Sequence, residues 1–240
     1  MAVVQYDGTD YEGFQVQRDR PSIQGALEDA LERVTQERIR LVGAGRTDAG
    51  VHARAQVVSF QAGWQHAPAA LMQALNANLP PAIALQSLSV AGDAFDARRS
   101  AKSRTYRYSI NNQAARAPLR DRYAWHVSAA LDERAMHQAL QVFVGKHDFI
   151  ALGNPPRQGK SSVREISGAR CWREVEWVIV ELTANAFLHG MVRRIVGTLV
   201  RAGLGNLSAQ DCEQLLAARD KNLVKWKAAP QGLCLWSVEY

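Results

Sequence analysis

The stretch GAGRTDAGVHARAQVVSF, Gly43 to Phe60, decides between two architectures. As a phosphate-cradling loop it would belong to a doubly wound parallel sheet. As a glycine-rich connection between two strands it belongs to an antiparallel one. The G-x-G-x-x-G spacing is missing, and so is the lysine–hydroxyl pair of a Walker loop. The flanking runs RIRLVGAG (38–45) and AQVVSFQ (55–61) are both rich in strand-forming residues, so the spacing predicts a strand on each side of the loop.

The rest of the chain agrees with this reading. VVQYD (3–7) predicts a first strand. RPSIQGALEDALERVTQ (20–36) predicts an amphipathic helix with Ser22 as N-cap, because Ile23, Ala26, Leu27, Ala30, Leu31 and Val34 share one face at helical period. APAALMQALNANLP (67–80) predicts a second helix, stopped by Pro80 and Pro81, and IALQSLSV (83–90) a strand. SRTYRYSIN (103–111) alternates: Tyr106, Tyr108 and Ile110 on one face, Thr105, Arg107 and Ser109 on the other. LDERAMHQALQVFVG (131–145) reads as a helix, and ISGARCWREV (166–175) with EWVIVELTAN (176–185) as a hairpin. FLHGMVRRIVGTLVRAG (187–203) reads as a long apolar helix interrupted at Gly197, on which His189, Met191 and Val192 are packed. SAQDCEQLLAAR (208–219) is a capped helix, and GLCLWSVEY (232–240) a closing strand. Strands and helices mix without strict βαβ alternation. The expected class is therefore α+β with mostly antiparallel sheets, in two lobes, 1–100 and 101–240, with a boundary just before the basic strand.

With 240 residues, 47% hydrophobic and 22% charged, the composition is that of an ordinary globular protein. No apolar run approaches the ~18 residues of a membrane span. The N-terminus enters strand-like sequence at once, so no secretory signal is expected. Cys171, Cys212 and Cys234 are far apart, odd in number and without CxxC spacing. They read as reduced thiols in a cytoplasmic protein that lacks structural disulfides or zinc.

Charge is concentrated. Between Arg98 and Arg122 lie eight basic residues and one acid, Asp121, so the rest of the chain is close to neutral. Tyr106, Tyr108 and Tyr123 are threaded through this stretch. Clustered arginines with interleaved aromatics suit a phosphate backbone and unstacked bases, and the stretch is expected to contact nucleic acid.

Within the opening loop the chemistry narrows by elimination. Asp48 and His52 make two metal ligands with no third nearby, and His52 reads as a loop hydrogen-bonding residue. A glycosidase wants paired carboxylates, but the nearest acids in sequence, Glu37 and Asp93, lie outside the loop. A lone carboxylate beside Arg46 remains. Arg46 can hold Asp48 ionised by charge pairing, and an ionised carboxylate in a dry site is a competent nucleophile. Gly45, Ala49 and Gly50 leave room for a planar substrate. The same residues also describe a plain hairpin turn with a surface ion pair, and spacing alone does not choose.

A resemblance does. GRTDAGVHA (45–53) resembles the signature of the tRNA pseudouridine synthase A family. YDGTDYEGFQVQ (6–17), SIQGALEDAL (22–31), NANLP (76–80), FDARRSAKSRTYRY (95–108), NAFLHGMVRRIVG (185–197) and APQGLCL (229–235) follow in that family's order, across essentially the whole chain. The resemblance implies a two-lobed α+β fold with the active site in a cleft, acting without cofactor or metal. It implies isomerisation of uridines 38, 39 and 40 in the tRNA anticodon stem-loop by a homodimer. It further implies that Asp48 is the catalytic nucleophile, Arg46 its basic partner, Tyr106 the stacking tyrosine and Arg193 a second active-site cation. Two segments are implied to contact tRNA: Phe95, Asp96, Ala97, Arg98 and Arg99, and then Gly159, Lys160, Ser161, Ser162 and Val163. In the second, the family's basic–hydroxyl–proline run is Lys160-Ser161-Ser162 here. The alternative is a non-catalytic tRNA-binding or RNA-folding protein, which the intact Arg46, Asp48 and Tyr106 argue against.

Overall fold

A computed structural model describes residues 1–155, 159 and 161–240. In chain order the elements are β1 (Ala2–Tyr6), α1 (Ile23–Thr35), β2 (Val42–Gly43), β3 (His52–Ser59), α2 (Pro68–Asn78), β4 (Ile83–Leu88), β5 (Ser103–Asn111), β6 (Trp125–His126), α3 (Glu133–Gln141), β7 (Gly145–Asp148), β8 (Val163–Glu174), β9 (Trp177–Ala184), α4 (Met191–Gly203), α5 (Ala209–Ala218) and β10 (Leu233–Glu239). They fall into two units. One is Met1–Arg104 together with Cys234–Tyr240, and the other is Thr105–Leu233. The class is α+β and mostly antiparallel.

In the first unit the strand order is β4-β1-β3-β10, with β2 on β3. β1 is antiparallel to both neighbours, with Val4 opposite Gln56 and Ala2 opposite Leu88. The second edge of β3 is shared. β2 takes its C-terminal end, with Gly43 opposite Val58, and β10 runs parallel along its start, with Cys234 opposite His52. Residues 44–51 therefore leave and re-enter the sheet beside the C-terminal strand. The helix α1 forms where the periodicity places it. Ser22 accepts from the Gly25 amide, and Ile23, Leu27, Ala30 and Leu31 are buried. Leu27, Ala30 and Leu31 pack with Leu75 of α2 and with Val58 and Leu85 of the sheet. On the opposite face Ala44, Val57 and Ala97 form a small core closed by Met1, Val3, Phe95, Val238 and Tyr240.

In the second unit the order is β5-β9-β8-β7, with β6 on β5. The expected hairpin is β8 and β9, in register from Glu174 opposite Trp177 to Gly168 opposite Thr183, with a register shift before Ile166 meets Ala184. Val178, Val180, Leu182 and Ala184 are at most 1% exposed, so one face of β9 lies wholly in the core. The turn holds Val175 at φ 53° and 84% exposed. A β-branched residue is costly there, because its Cβ crowds the carbonyl. Val175→Asn is expected to stabilise the protein by roughly 0.5–1 kcal/mol, read as a raised urea midpoint; an unchanged midpoint contradicts the strain.

Three expectations change. The strand before the loop is only Val42–Gly43. The helix α4 starts at Met191, after an N-cap glycine at φ 72°, so His189 precedes it and is exposed rather than packed. Gly197 does not interrupt α4: a Cβ there would meet the Trp226 carbonyl at 2.7 Å, so the glycine admits a neighbouring backbone. Met191 and Val192 are core, as expected. The three cysteines form no disulfide, and burial pushes the thiols of Cys171 up to about 12 and of Cys212 up to about 11.

Candidate active site

The 44–51 loop is held from beneath by buried polar side chains. Thr47, 7% exposed, shares a 2.8 Å hydrogen bond between its hydroxyl and that of Tyr6. Burial drives the Tyr6 hydroxyl's pKa well above its ordinary value. Gln56, fully buried in β3, donates to the Gly45 carbonyl at 2.9 Å and accepts from the Gly45 amide at 3.3 Å. The Asp48 carbonyl accepts from the Val51 amide at 3.2 Å, which closes the turn. With Thr47 drawn inward, its neighbours face outward: Arg46 is exposed and Asp48 half-buried.

The segment after β1 packs onto this loop through backbone. The Phe14 amide donates to the Thr47 carbonyl at 3.0 Å and the Gly50 amide to the Tyr11 carbonyl at 3.2 Å. Gly13, at φ 97°, leaves no room for a side chain: a Cβ would stand 2.7 Å from the Thr47 carbonyl oxygen. His52 is a loop-binding residue, as expected. Its Nδ1 accepts from the Gly8 amide at 3.0 Å and lies 3.2 Å from an Asp7 carboxylate oxygen. Nδ1 serves one of these at a time. It accepts from Gly8 when it carries no proton and donates to Asp7 when it carries one.

Tyr106 and Arg193 belong to the second unit. Tyr106 is 7% exposed, its ring edge-on to Phe187 at 5.2 Å. Arg193, on the first turn of α4, donates from Nε to the Ala228 carbonyl at 2.8 Å, and the Ala228 amide donates back to the Arg193 carbonyl at 3.0 Å. Its guanidinium is thus tied to the segment before β10. Tyr108, next along the same face of β5 as Tyr106, donates to the Ala229 carbonyl at 2.7 Å. Burial raises its pKa strongly, and the charge of Arg193 opposes the rise.

Comparison with known proteins bears on what this loop belongs to. The family profile described as tRNA pseudouridine synthase matches residues 2–99 and 139–240. The chain belongs to the tRNA pseudouridine synthase family. The first matched segment includes the whole 44–51 loop, and the second includes Arg193. Among similar proteins, "tRNA pseudouridine synthase A" of Rhodopseudomonas palustris (strain BisA53) is 43% identical over 239 residues, covering 99% of this chain and 97% of its own. The protein of the same name from Shewanella piezotolerans (strain WP3 / JCM 13877) is 42% identical, covering 99% and 91%. That of Brevibacillus brevis (strain 47 / JCM 6285 / NBRC 100599) is 40% identical, covering 99% and 98%.

The two segments expected to contact tRNA are built differently from their sequence appearance. In 95–99, Phe95 packs on Tyr240 at 4.9 Å between ring centres and Ala97 is fully buried. Asp96 caps its own turn, accepting from the Arg98 and Arg99 amides at 2.9 and 2.8 Å. Only Arg98 and Arg99 are exposed. In 159–163, Lys160 lies outside the described residues. Gly159 has φ 80° with open space around it. The Ser162 hydroxyl donates to Asp148 at 2.5 Å, and the Ser161 hydroxyl accepts from the Val163 amide at 3.1 Å. Val163 is exposed.

Several cations of the basic stretch are paired or buried. Arg107 pairs with Glu181 at 2.8 Å, Arg116 with Asp121 at 3.6 Å and Arg120 with Glu176 at 3.6 Å. Arg104 is buried. Sequence reasoning passed over Tyr6 and Gln56, the residues that hold the loop. Their one signal is polarity inside apolar strands, since a buried polar group must find a partner.

Proposed function

We propose that this chain converts uridines 38, 39 and 40 of the tRNA anticodon stem-loop to pseudouridine, with Asp48 as nucleophile. The observation that carries the reading is the Arg46–Asp48 loop, outward-facing and braced by Tyr6 and Gln56, in a chain of this family. The target uridine leaves the stack, at a cost of a few kcal/mol. A carboxylate attacks either C1′ of the ribose or C6 of the ring. The C1′–N1 bond breaks, the base turns, C5 bonds to C1′, the bond between Asp48 and the attacked carbon breaks to return the carboxylate, the C5 proton leaves and N1 takes one up. Nothing is oxidised or reduced. Arg46 stabilises the Asp48 charge, Arg193 supplies a second cation, and Tyr106 stacks on the base. Arg98 and Arg99, with the 159–163 segment, meet tRNA phosphates. The working form is a homodimer in the cytoplasm; among the described residues no helix is long and apolar enough to cross a membrane.

The test is tritium release from unmodified tRNA carrying 5-tritiated uridine, with the products mapped. Release confined to positions 38–40 is expected. Pseudouridine elsewhere overturns the specificity, and none at all overturns the activity. Tyr106→Phe separates two roles of its side chain. If stacking dominates, the variant keeps near-normal turnover, because the ring and its contact with Phe187 remain. A loss of roughly 100-fold or more would instead assign proton transfer to the hydroxyl.

A further inference from the structure

Arg104 has the sequence surroundings of an RNA-binding residue and the structural surroundings of a strut. It is 8% exposed. Its guanidinium donates from Nε and Nη2 to the Ala44 carbonyl at 3.2 and 2.9 Å, from Nη2 to the Arg98 carbonyl at 2.6 Å, and from Nη1 to the Ala101 carbonyl at 3.1 Å. Only an arginine offers a rigid fork of five donors for such a set; a lysine presents one ammonium at one point.

What those carbonyls belong to matters more than their number. Ala44 is two residues before Arg46, and its amide is fixed to the sheet by the Val57 carbonyl at 2.8 Å. Gln56 holds the next residue, Gly45, from both sides. Arg98 belongs to the short turn capped by Asp96 that exposes Arg98 and Arg99. One buried cation thus grips the backbone behind two exposed arginines and the backbone leading into Arg46 and Asp48.

We propose that Arg104 is a positioning residue. It locks the Asp96–Arg99 turn to the Ala44–Gly45 entrance of the catalytic loop, so that RNA phosphates held by Arg98 and Arg99 set the placement of Asp48. The inference rests on the functional reading above and assigns the buried arginine a part in catalysis without contact with the substrate.

The test compares wild type with Arg104→Lys, at least about 20 °C below the variant's own unfolding midpoint. Two quantities are read: equilibrium binding of unmodified tRNA, and the single-turnover rate of pseudouridine formation at saturating enzyme. Arg104→Lys is expected to bind within about threefold of wild type and to react roughly 10- to 100-fold more slowly, the scale of a small misplacement of a reacting group. Adding Arg98→Ala and Arg99→Ala is expected to lower the saturated rate in the wild-type background and to leave it unchanged in the Arg104→Lys background, since coupled groups are not additive. An unchanged rate in Arg104→Lys, or additive effects, overturns the proposal. If Arg104→Lys does not fold, the Arg98→Ala/Arg99→Ala protein decides alone. Its saturated rate should fall by at least about tenfold, and a wild-type rate overturns the coupling. A wild type that forms no pseudouridine contradicts the functional reading instead.

Discussion

Asp48→Asn is expected to abolish tritium release from 5-tritiated uridine in tRNA, a fall of roughly a thousandfold or more, while tRNA affinity stays within a few-fold. The substitution keeps the shape of the side chain and removes its charge and nucleophilicity. The fold should not notice. Asp48 is half-buried, and its turn is held by backbone, from the Val51 amide to the Asp48 carbonyl at 3.2 Å. Among the loop's other anchors are the Tyr6–Thr47 hydroxyl pair and the double grip of Gln56 on Gly45. An unchanged urea midpoint in the variant would show that lost activity reports lost chemistry. Substantial turnover in the variant would remove Asp48 from the nucleophile's role.

Gly8→Ala is expected to cost roughly 2–3 kcal/mol of stability, the upper part of the range for forcing a methyl into a closed space, and to lower turnover as well. A Cβ at this position would stand 2.0 Å from the Val51 carbonyl oxygen and 2.7 Å from its carbon. Both are backbone atoms, so no rotamer change relieves the clash. Nor can residue 8 retreat cheaply, because its amide is bonded to His52 Nδ1 at 3.0 Å inside the unit. The loop must therefore give way at Val51, beside the turn that carries Asp48. Gly92→Ala is the control. A Cβ there meets nothing within 4 Å, and a change within about 0.5 kcal/mol is expected for such a surface site. Equal urea midpoints for the two variants would show that the close approach at Gly8 is not tight.

The elements that matched their sequence signals did so because those signals are local. β5 occupies Ser103–Asn111, the residues whose alternation predicts it, with Tyr106, Tyr108 and Ile110 buried on one face. Ser22 caps α1 because its hydroxyl meets an amide three residues away. β8 and β9 pair across a turn of Val175 and Glu176. The signature around Asp48 is likewise contiguous, and the family match now stands behind it.

Charge counting does not see pairing, for a matching reason. It registers the cations of 98–122 but not the acids that meet them, and Glu181 and Glu176 are far away in sequence from Arg107 and Arg120. By itself, then, the sequence determined the α+β class, most helices and strands, and the loop that carries Asp48, because periodicity, caps and contiguous motifs are properties of neighbouring residues. Only the tertiary structure decided that β10 returns from the far end of the chain to lie parallel to the start of β3, that Gln56 and Tyr6 brace the loop, and that Arg104 faces inward. Each of these joins groups distant along the chain. Whether a polar side chain there meets water or a carbonyl is set by what the rest of the fold brings against it.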